Sequence, residues 1–387
     1  MKNIEQVIDR IILKNDINIY EIDEKNIIFI YNIVKYINNI YVTENDILKR
    51  FEQIKSNKKI LEKLKKIPQM KQRSEEWYNA RKNMITASDM AQALNEGKFG
   101  NQKELMIKKI NNLRNIKEEN KSIEYIAPLQ WGIKYEDVAC SIYESKNNTK
   151  IIEFGLLKHY NKDITYFGAS PDGISELGVM LEIKCPYKRE INGVIPNQYY
   201  YQIQGQLDVC NLEECDYLEC KFVEYKTEED FINDKIKETL NLDNINSLNE
   251  NKREKGIIIC YKNIDETKME YKYLYSNLND SEEEMITWKK NKIMNFDIDT
   301  DYEINYWKLD RYEVQRVKRD KKFIKEKLDQ INLLWKKIEY YSNSDNYEEY
   351  KKDILLNKKS KIIEFNKNVN TIPDIKELKG FCIRLDN

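Results

Sequence analysis

Glycine and proline are scarce in this sequence, 11 and 6 among 387 residues. That excludes collagen-like chains and Pro/Gly-rich disordered chains. Only one histidine is present. A Ser-His-Asp triad, a Cys–His pair or a His-rich metal site would each have to use His159, which stands between Lys158 and Tyr160 near an expected strand end. We read it as a surface histidine and expect chemistry to rest on carboxylates, lysine and metal. Charge of one sign is also lacking. The 65 Lys and Arg against 66 Asp and Glu leave a net charge of −1, so only a local patch can attract a polyanion. Apolar runs are short, Ile27-Ile28-Phe29-Ile30-Tyr31 among the longest. A bilayer-spanning helix needs about 20 apolar residues, so no membrane partner is expected. The opening Met1-Lys2-Asn3-Ile4-Glu5 lacks the apolar stretch of a signal peptide. Seven cysteines form an odd set without a regular framework, which points to reduced thiols in a cytoplasmic compartment.

What is present supports a folded chain. Apolar residues make up 41% of the sequence and tyrosine contributes 27 residues, enough to bury a core. The length suits two or three domains of roughly 100–200 residues each. Residues 1–72 read as a helical N-terminal region, because Ile4, Val7, Ile8, Ile11 and Ile12 recur at helical spacing. A second helix is expected over about Ile27 to Ile40, and a third after Thr43, with Asp46 completing its cap. The basic run from Lys55 to Arg73 reads as a solvated helix face.

Residues 73–226 have a different texture. Helices are expected after Ser74, after Ser88-Asp89, over Lys103 to Leu113, Ile133 to Glu144 and Gln198 to Asn211. Strands are expected over Lys150–Leu157, Ile164–Ala169, Val179–Cys185 and Tyr217–Tyr225. This is an α/β layered pattern. Residues 227–387 read as mainly helical, with a strand pair at Gly256–Lys262 and Lys268–Ser276 and a long basic helix over about Arg311 to Tyr341, packed on the core.

Two short motifs carry chemistry. Pro171-Asp172-Gly173 is a turn signal that sets Asp172 at a strand end. In the next strand Glu182 and Lys184 are two apart and share a face, while Leu181, Ile183 and Cys185 take the other face. Two carboxylates and a backbone carbonyl suit Mg²⁺. A nearby lysine can hold a water that attacks phosphorus, and a divalent ion lowers that water's pKa. Either motif alone is commonplace; their order in consecutive strands is much more specific.

Four ordered blocks carry a resemblance. They are Trp77 and Arg81 with Ile85-Thr86-Ala87-Ser88; Trp131-Gly132-Ile133-Lys134-Tyr135-Glu136; Ser170-Pro171-Asp172-Gly173 with Leu181-Glu182-Ile183-Lys184-Cys185-Pro186; and Tyr199 with Gln202-Ile203-Gln204. They resemble the PD-(D/E)xK nuclease superfamily, and more closely its lambda-exonuclease-like, YqaJ-type viral recombinase group. The later Tyr306-Trp307-Lys308-Leu309 resembles relatives encoded by large DNA viruses. The resemblance implies a PD-(D/E)xK restriction-endonuclease-like core, a mixed sheet flanked by helices, with helical N-terminal and mainly helical C-terminal additions.

It also implies roles. Asp172 and Glu182 would be metal-binding carboxylates, with the Ile183 carbonyl as a further ligand. Lys184 would be the catalytic lysine. Glu136 would reach the second metal or its water, and Gln202 (alternatively Gln204) would line the site. Arg81, Ser88 and Ser170 would bind the DNA 5′-phosphate. Ser88 at a helix start and Arg81 as a bidentate donor suit that task physically. The implied cofactor is Mg²⁺, or Mn²⁺, with two ions per site. The implied partners are double-stranded DNA ends and a single-strand annealing or recombination protein, at a viral replication site. Cys210, Cys215 and Cys220, spaced by five, are read as free thiols.

The expected activity is therefore 5′→3′ exonuclease action on double-stranded DNA, for recombination, repair or replication. A structure-specific endonuclease or nickase with the same site is the alternative within enzymes, since fold does not set substrate. A non-catalytic DNA- or protein-interaction factor is the alternative outside them; intact Asp172, Glu182 and Lys184 argue against it.

Overall fold

The computed structural model describes residues 3–98, 100–116, 127–234, 254–265, 268–345 and 347–355. The expected N-terminal periodicity forms α1 (Ile4–Lys14), which buries Val7, Ile8, Ile11 and Ile12. α2 (Glu24–Asn32) continues as a π-helical turn, Ile33–Ile37, instead of one α-helix to Ile40. α3 (Glu44–Lys65) starts at Thr43, whose side chain accepts from the Asp46 N–H while Asp46 closes the capping box. Ile8, Ile30, Val34, Ile47 and Phe51 are the shared core of these helices. Along the basic run, Lys55 pairs with Glu52 and Lys65 with Glu62 on the surface of α3.

Ser74 caps α4 (Glu75–Lys82). After β1 (Ile85–Thr86) a 3₁₀ turn, Ala87–Asp89, leads into α5 (Met90–Ala93). The expected cap at Ser88 is corrected here. Thr86, still extended at the strand end, forms the capping box with Asp89, so Ser88 lies inside the first turn. α6 (Gln102–Leu113) and α7 (Ala127–Asn147) follow.

The expected strand at Lys150–Leu157 is divided into β2 (Ile151–Ile152) and β3 (Leu157–Lys158). The break falls at Gly155, where a Cβ would lie 2.0 Å from the Met70 carbonyl oxygen. The Gly155 N–H donates to Gln69, and this crossing lets the chain change sheets. Next come β4 (Phe167–Ala169), β5 (Gly173–Ser175), β6 (Met180–Lys184), α8 (Asn197–Cys210), β7 (Glu214–Glu224) and α9 (Glu228–Asn233). The remainder is β8 (Lys255–Asp265), β9 (Lys268–Tyr275), α10 (Glu282–Met294), β10 (Tyr302–Lys318), α11 (Lys321–Ser342) and α12 (Tyr347–Leu355).

The strands form a small sheet, β1-β4-β3, and a seven-stranded mixed sheet, β2-β5-β6-β7-β10-β8-β9. In the larger sheet β6 and β7 are parallel. α8 supplies the crossover that a parallel pair needs. Leu181, Ile183, Leu218 and Phe222 pack against Tyr135 and Ile142 of α7 on one face. Met180, Cys215 and Tyr217 join Ile203 and Leu207 of α8 and Ile331 and Leu334 of α11 on the other. The sheet is thus flanked by helices, as the fold class required.

The long basic helix is a second correction. Arg311 to Lys318 belong to β10, and α11 starts only after Asp320, whose side chain caps it. Arg316 lies directly opposite Asp216 of β7 and forms an ion pair with it at 2.7 Å. A charge expected on a basic helix is neutralised inside the sheet. The surface histidine is a third correction. His159 is buried, accepts the Asn161 N–H at Nδ1, and so donates from Nε2 to Asp208 at 2.9 Å. Cys210, Cys215 and Cys220 are buried without a disulfide, and burial pushes the Cys210 thiol up to about 12. No helix among the described residues is long and apolar enough to cross a membrane.

Candidate active site

The hairpin β5–β6 pairs Gly173 with Leu181 and Ile174 with Met180. Continuing that register by one residue sets Asp172 opposite Glu182, and directly opposed residues share a face. The Ile183 N–H donates to Asp172 Oδ2 at 2.7 Å, which fixes the carboxylate at the strand end. Glycine at 173 is required by close approach and not by a positive φ. A Cβ there would lie 2.1 Å from Ile151 Cγ2.

Glu182 is fully buried. Its Oε1 pairs with Lys184 Nζ, and its Oε2 accepts from Gln206 Nε2 at 2.8 Å. Lys184 Nζ also sits over the Tyr199 ring, 5.1 Å from its centre. Tyr199 and Gln206 are seven apart on α8, two turns along one face. The amide that reaches Glu182 is Gln206, where Gln202 or Gln204 was expected to line the site. Gln204 instead donates to the Lys318 carbonyl at 2.8 Å and accepts from the Asp320 N–H at 2.7 Å. Gln202 is half-buried one turn before Gln206. The i, i+7 spacing from Tyr199 was the available signal for Gln206.

Glu136 approaches from α7, its Oε2 2.8 Å from an Arg73 guanidinium nitrogen. Burial, then the charges of Glu182 and Glu136, push Asp172 well above the ordinary carboxylate range. Burial also raises Glu136, against the opposing pull of Arg73 and Lys184. Burial works against the Lys184 charge, but Glu182 and Asp172 outweigh it and hold the ammonium protonated.

Asp172 and Glu136, both raised by burial and by neighbouring carboxylate charge, are groups a cation would relieve. Their donors are hard oxygens, as Mg²⁺ prefers. Asp172, Glu182, the Ile183 carbonyl and Glu136 are the atoms such an ion could use. Among the described residues no three His, Cys, Asp or Glu side chains gather closely enough to hold a metal by themselves.

A second cluster adjoins the first through the loop Ser170-Pro171-Asp172. Arg81 on α4 donates to Ser88 Oγ at 2.7 Å, to Thr86 Oγ1 at 3.1 Å and to Ser170 Oγ at 3.4 Å. Trp77, one turn earlier, donates from Nε1 to Ser170 Oγ at 2.9 Å and lies under the guanidinium, 4.2 Å away. Thr86 reaches this point because β1 runs parallel to β4, with Thr86 beside Gly168. The nearby carboxylate, Asp89, is already paired with Lys109 at 3.0 Å. Burial lowers the Arg81 pKa, with Asp89 opposing. Arg81 is therefore a desolvated cation held by neutral hydroxyls, an arrangement that favours an incoming anion. Arg81, Ser88 and Ser170, far apart in sequence, do meet. Thr86 and the Trp77 indole are the members that sequence reasoning did not assign to the cluster.

Comparison with known proteins shows what this part of the chain is similar to. Residues 76–213 match the YqaJ-like viral recombinase domain, a span that holds every residue of both clusters except Arg73. The chain is 30% identical over 330 residues to "Uncharacterized protein R354" of Acanthamoeba polyphaga mimivirus, covering 76% of this chain and 57% of that protein. A relative in this virus agrees with the expected origin in a large DNA virus. The chain thus spans little more than half the length of that relative. Similar solved structures include an alkaline exonuclease from Laribacter hongkongensis, at 20% identity and a TM-score of 0.42, covering 73% of this chain and 100% of that one. A phage-related exonuclease from Haemophilus somnus is similar at 9% identity and a TM-score of 0.37, covering 66% and 93%.

Proposed function

We propose that this protein is a divalent-metal-dependent deoxyribonuclease that degrades double-stranded DNA from its ends in the 5′→3′ direction. The observation that carries the reading is the junction of the two clusters. A carboxylate–lysine group (Asp172, Glu182, Lys184, Glu136) is joined through Ser170-Pro171-Asp172 to an arginine held by three hydroxyls and the Trp77 ring. A strand whose terminal phosphate rests on Arg81, Ser88 and Ser170 would bring its next phosphodiester towards Asp172.

Lys184 is charged and fastened to Glu182. It acts as a donor from Nζ that holds and orients a water, and not as a base. Gln206 keeps Glu182 from turning. Asp172, Glu182, the Ile183 carbonyl and Glu136 would hold Mg²⁺, or Mn²⁺, in one or two positions. Such an ion lowers the pKa of a bound water and stabilises charge on the phosphoryl group. Contacts to DNA would be mainly to its backbone, with little sequence preference. The 3′ tails left behind would suit a single-strand annealing or recombination protein.

The test is incubation with linear duplex DNA bearing a 5′-phosphate, in Mg²⁺ or in EDTA, beside closed circular DNA and the Lys184→Ala protein. Metal-dependent loss of linear DNA alone, absent in the variant, supports the exonuclease. Release of the 5′ label first supports the polarity. Cutting of circles moves the reading to an endonuclease with the same site. Intact DNA in Mg²⁺, and again with Mn²⁺ in its place, overturns the nuclease reading.

A further inference from the structure

Arg73 stands out for its backbone. Among the described residues, non-glycine positive φ occurs at Asp16, Asn39, Arg73, Asn95, Asn115, Asn148 and Asn211. Arg73, at φ 65°, is the one that is neither Asn nor Asp. Asn and Asp tolerate this region because their short polar side chains bond locally. Arginine has no such compensation, and backbone strain of this kind persists only where its surroundings hold it.

The surroundings are the site. Gln72 donates to the Pro171 carbonyl at 3.0 Å and to the Phe154 carbonyl at 2.7 Å, which pins the segment to the loop carrying Asp172. Ser74 caps the helix that carries Trp77 and Arg81. The left-handed turn between them aims Arg73 at Glu136, at 2.8 Å. Asp137, beside Glu136, is hydrogen-bonded with Tyr275. The Arg73 side chain remains 39% exposed, so part of its donor fork faces solvent.

We propose that Arg73 is a second phosphate-binding arginine, held by Glu136 while the carboxylates lack a cation and released to the DNA backbone when they gain one. The inference rests on the nuclease reading above. A divalent ion drawn to Asp172, Glu182 and Glu136 competes directly with the guanidinium for the Glu136 charge. Ser170 and Asp172 are two residues apart, roughly 7 Å of chain, comparable to the spacing of neighbouring phosphates. With the terminal phosphate on Arg81 and Ser170, Arg73 is the cation beside the next one. Its forked donors suit a phosphate oxygen pair.

The test reads binding, not turnover. Fluorescence anisotropy of a 5′-phosphorylated duplex is measured with wild type, Arg73→Ala and Arg73→Gly, each in EDTA and in Ca²⁺, over a series of salt concentrations. Glycine suits the left-handed backbone, so R73G keeps the fold while removing the guanidinium, and its melting curve verifies this. In Ca²⁺ both variants should bind about tenfold more weakly, with the slope of log K against log salt smaller by about one. In EDTA both should match wild type, because Arg73 is then spent on Glu136. Equal losses in EDTA and Ca²⁺, or none in either, overturn the proposal while leaving the nuclease reading intact. Wild type that gains no DNA affinity from Ca²⁺ and degrades no DNA in Mg²⁺ overturns both.

Discussion

Glu214→Gln should destabilise the fold by about 3 kcal/mol at neutral pH. Glu214 opens β7 and is fully buried. Burial alone would push its carboxyl up, but Arg316, Arg50 and Lys318 overcome that and hold it at about 2, against an ordinary 4.5. A difference of that size, at about 1.4 kcal/mol per pKa unit, gives about 3 kcal/mol. Because the folded value is depressed, the stabilisation is fully present above about pH 4.5 and is lost as pH falls towards 2. Roughly half of it is gone by pH 3.5.

The variant leaves Arg50 with Asp9 and Arg316 with Asp216 and Asp9. Two buried guanidinium groups then have one carboxylate fewer between them. Urea unfolding followed by tryptophan fluorescence at pH 7, 5 and 3.5 reads the effect. The gap between wild type and variant should be widest at pH 7 and narrow on acidification. A loss under about 1 kcal/mol at pH 7, or a gap that does not narrow, would refute the assignment of Glu214 as the anionic centre of this network.

Arg81→Ala should reduce the preference for a 5′-phosphate over a 5′-hydroxyl end by about 10- to 100-fold, the worth of hydrogen bonds to a charged partner. The ratio of kcat/KM on phosphorylated and dephosphorylated linear duplex measures it, and an unchanged ratio would remove Arg81 from phosphate recognition. Gly173→Ala should cost about 1–3 kcal/mol by overpacking and lower activity, because Ile151 must move and Asp172 adjoins the strained position. Ile151→Ala in the same chain should restore part of both, and a G173A protein with wild-type melting and turnover would contradict the geometry.

Much of the site was legible because its signals are local. The turn Pro171-Asp172-Gly173 and the alternation Leu181-Glu182-Ile183-Lys184 each need only a few neighbouring residues to read. The caps at Thr43 and Ser74 are equally local. The misread parts depend on partners far along the chain. Arg316 and Lys318 were read into a basic helix because their counter-charges, Glu214 and Asp216, are about 100 residues away. His159 looked exposed because Asp208 is 49 residues distant. Thr86 reaches the arginine only because β1 pairs with β4, and no local pattern announces a two-residue parallel pairing. Gln206 was missed for another reason. The resemblance pointed to Gln202, whereas Gln206, two turns from Tyr199 on the same face of α8, is the amide bonded to Glu182.

The same network bears on whether the family domain can stand alone. β10 pairs with β7 from Trp307–Glu224 to Lys318–Glu214, so the strand beside β6 has its other edge covered by a segment outside residues 73–226. Asp9 on α1 and Arg50 on α3 then fasten the N-terminal helices to both strands. A fragment of residues 73–226 would lose Arg50, Arg316 and Lys318 together. Glu214 and Asp216 would lose the cations they pair with, and Met180, Cys215 and Tyr217 would lose Val317, Ile331 and Leu334 from their shared core. β7 would also become an exposed edge, open to pairing with other chains. The fragment should therefore aggregate or unfold without a cooperative transition, whereas residues 3–355 should unfold cooperatively. Circular dichroism of the two proteins in a urea series makes the comparison. A soluble fragment with a sharp transition would show that the flanking regions are attachments, and that the ion network serves them and not the catalytic sheet.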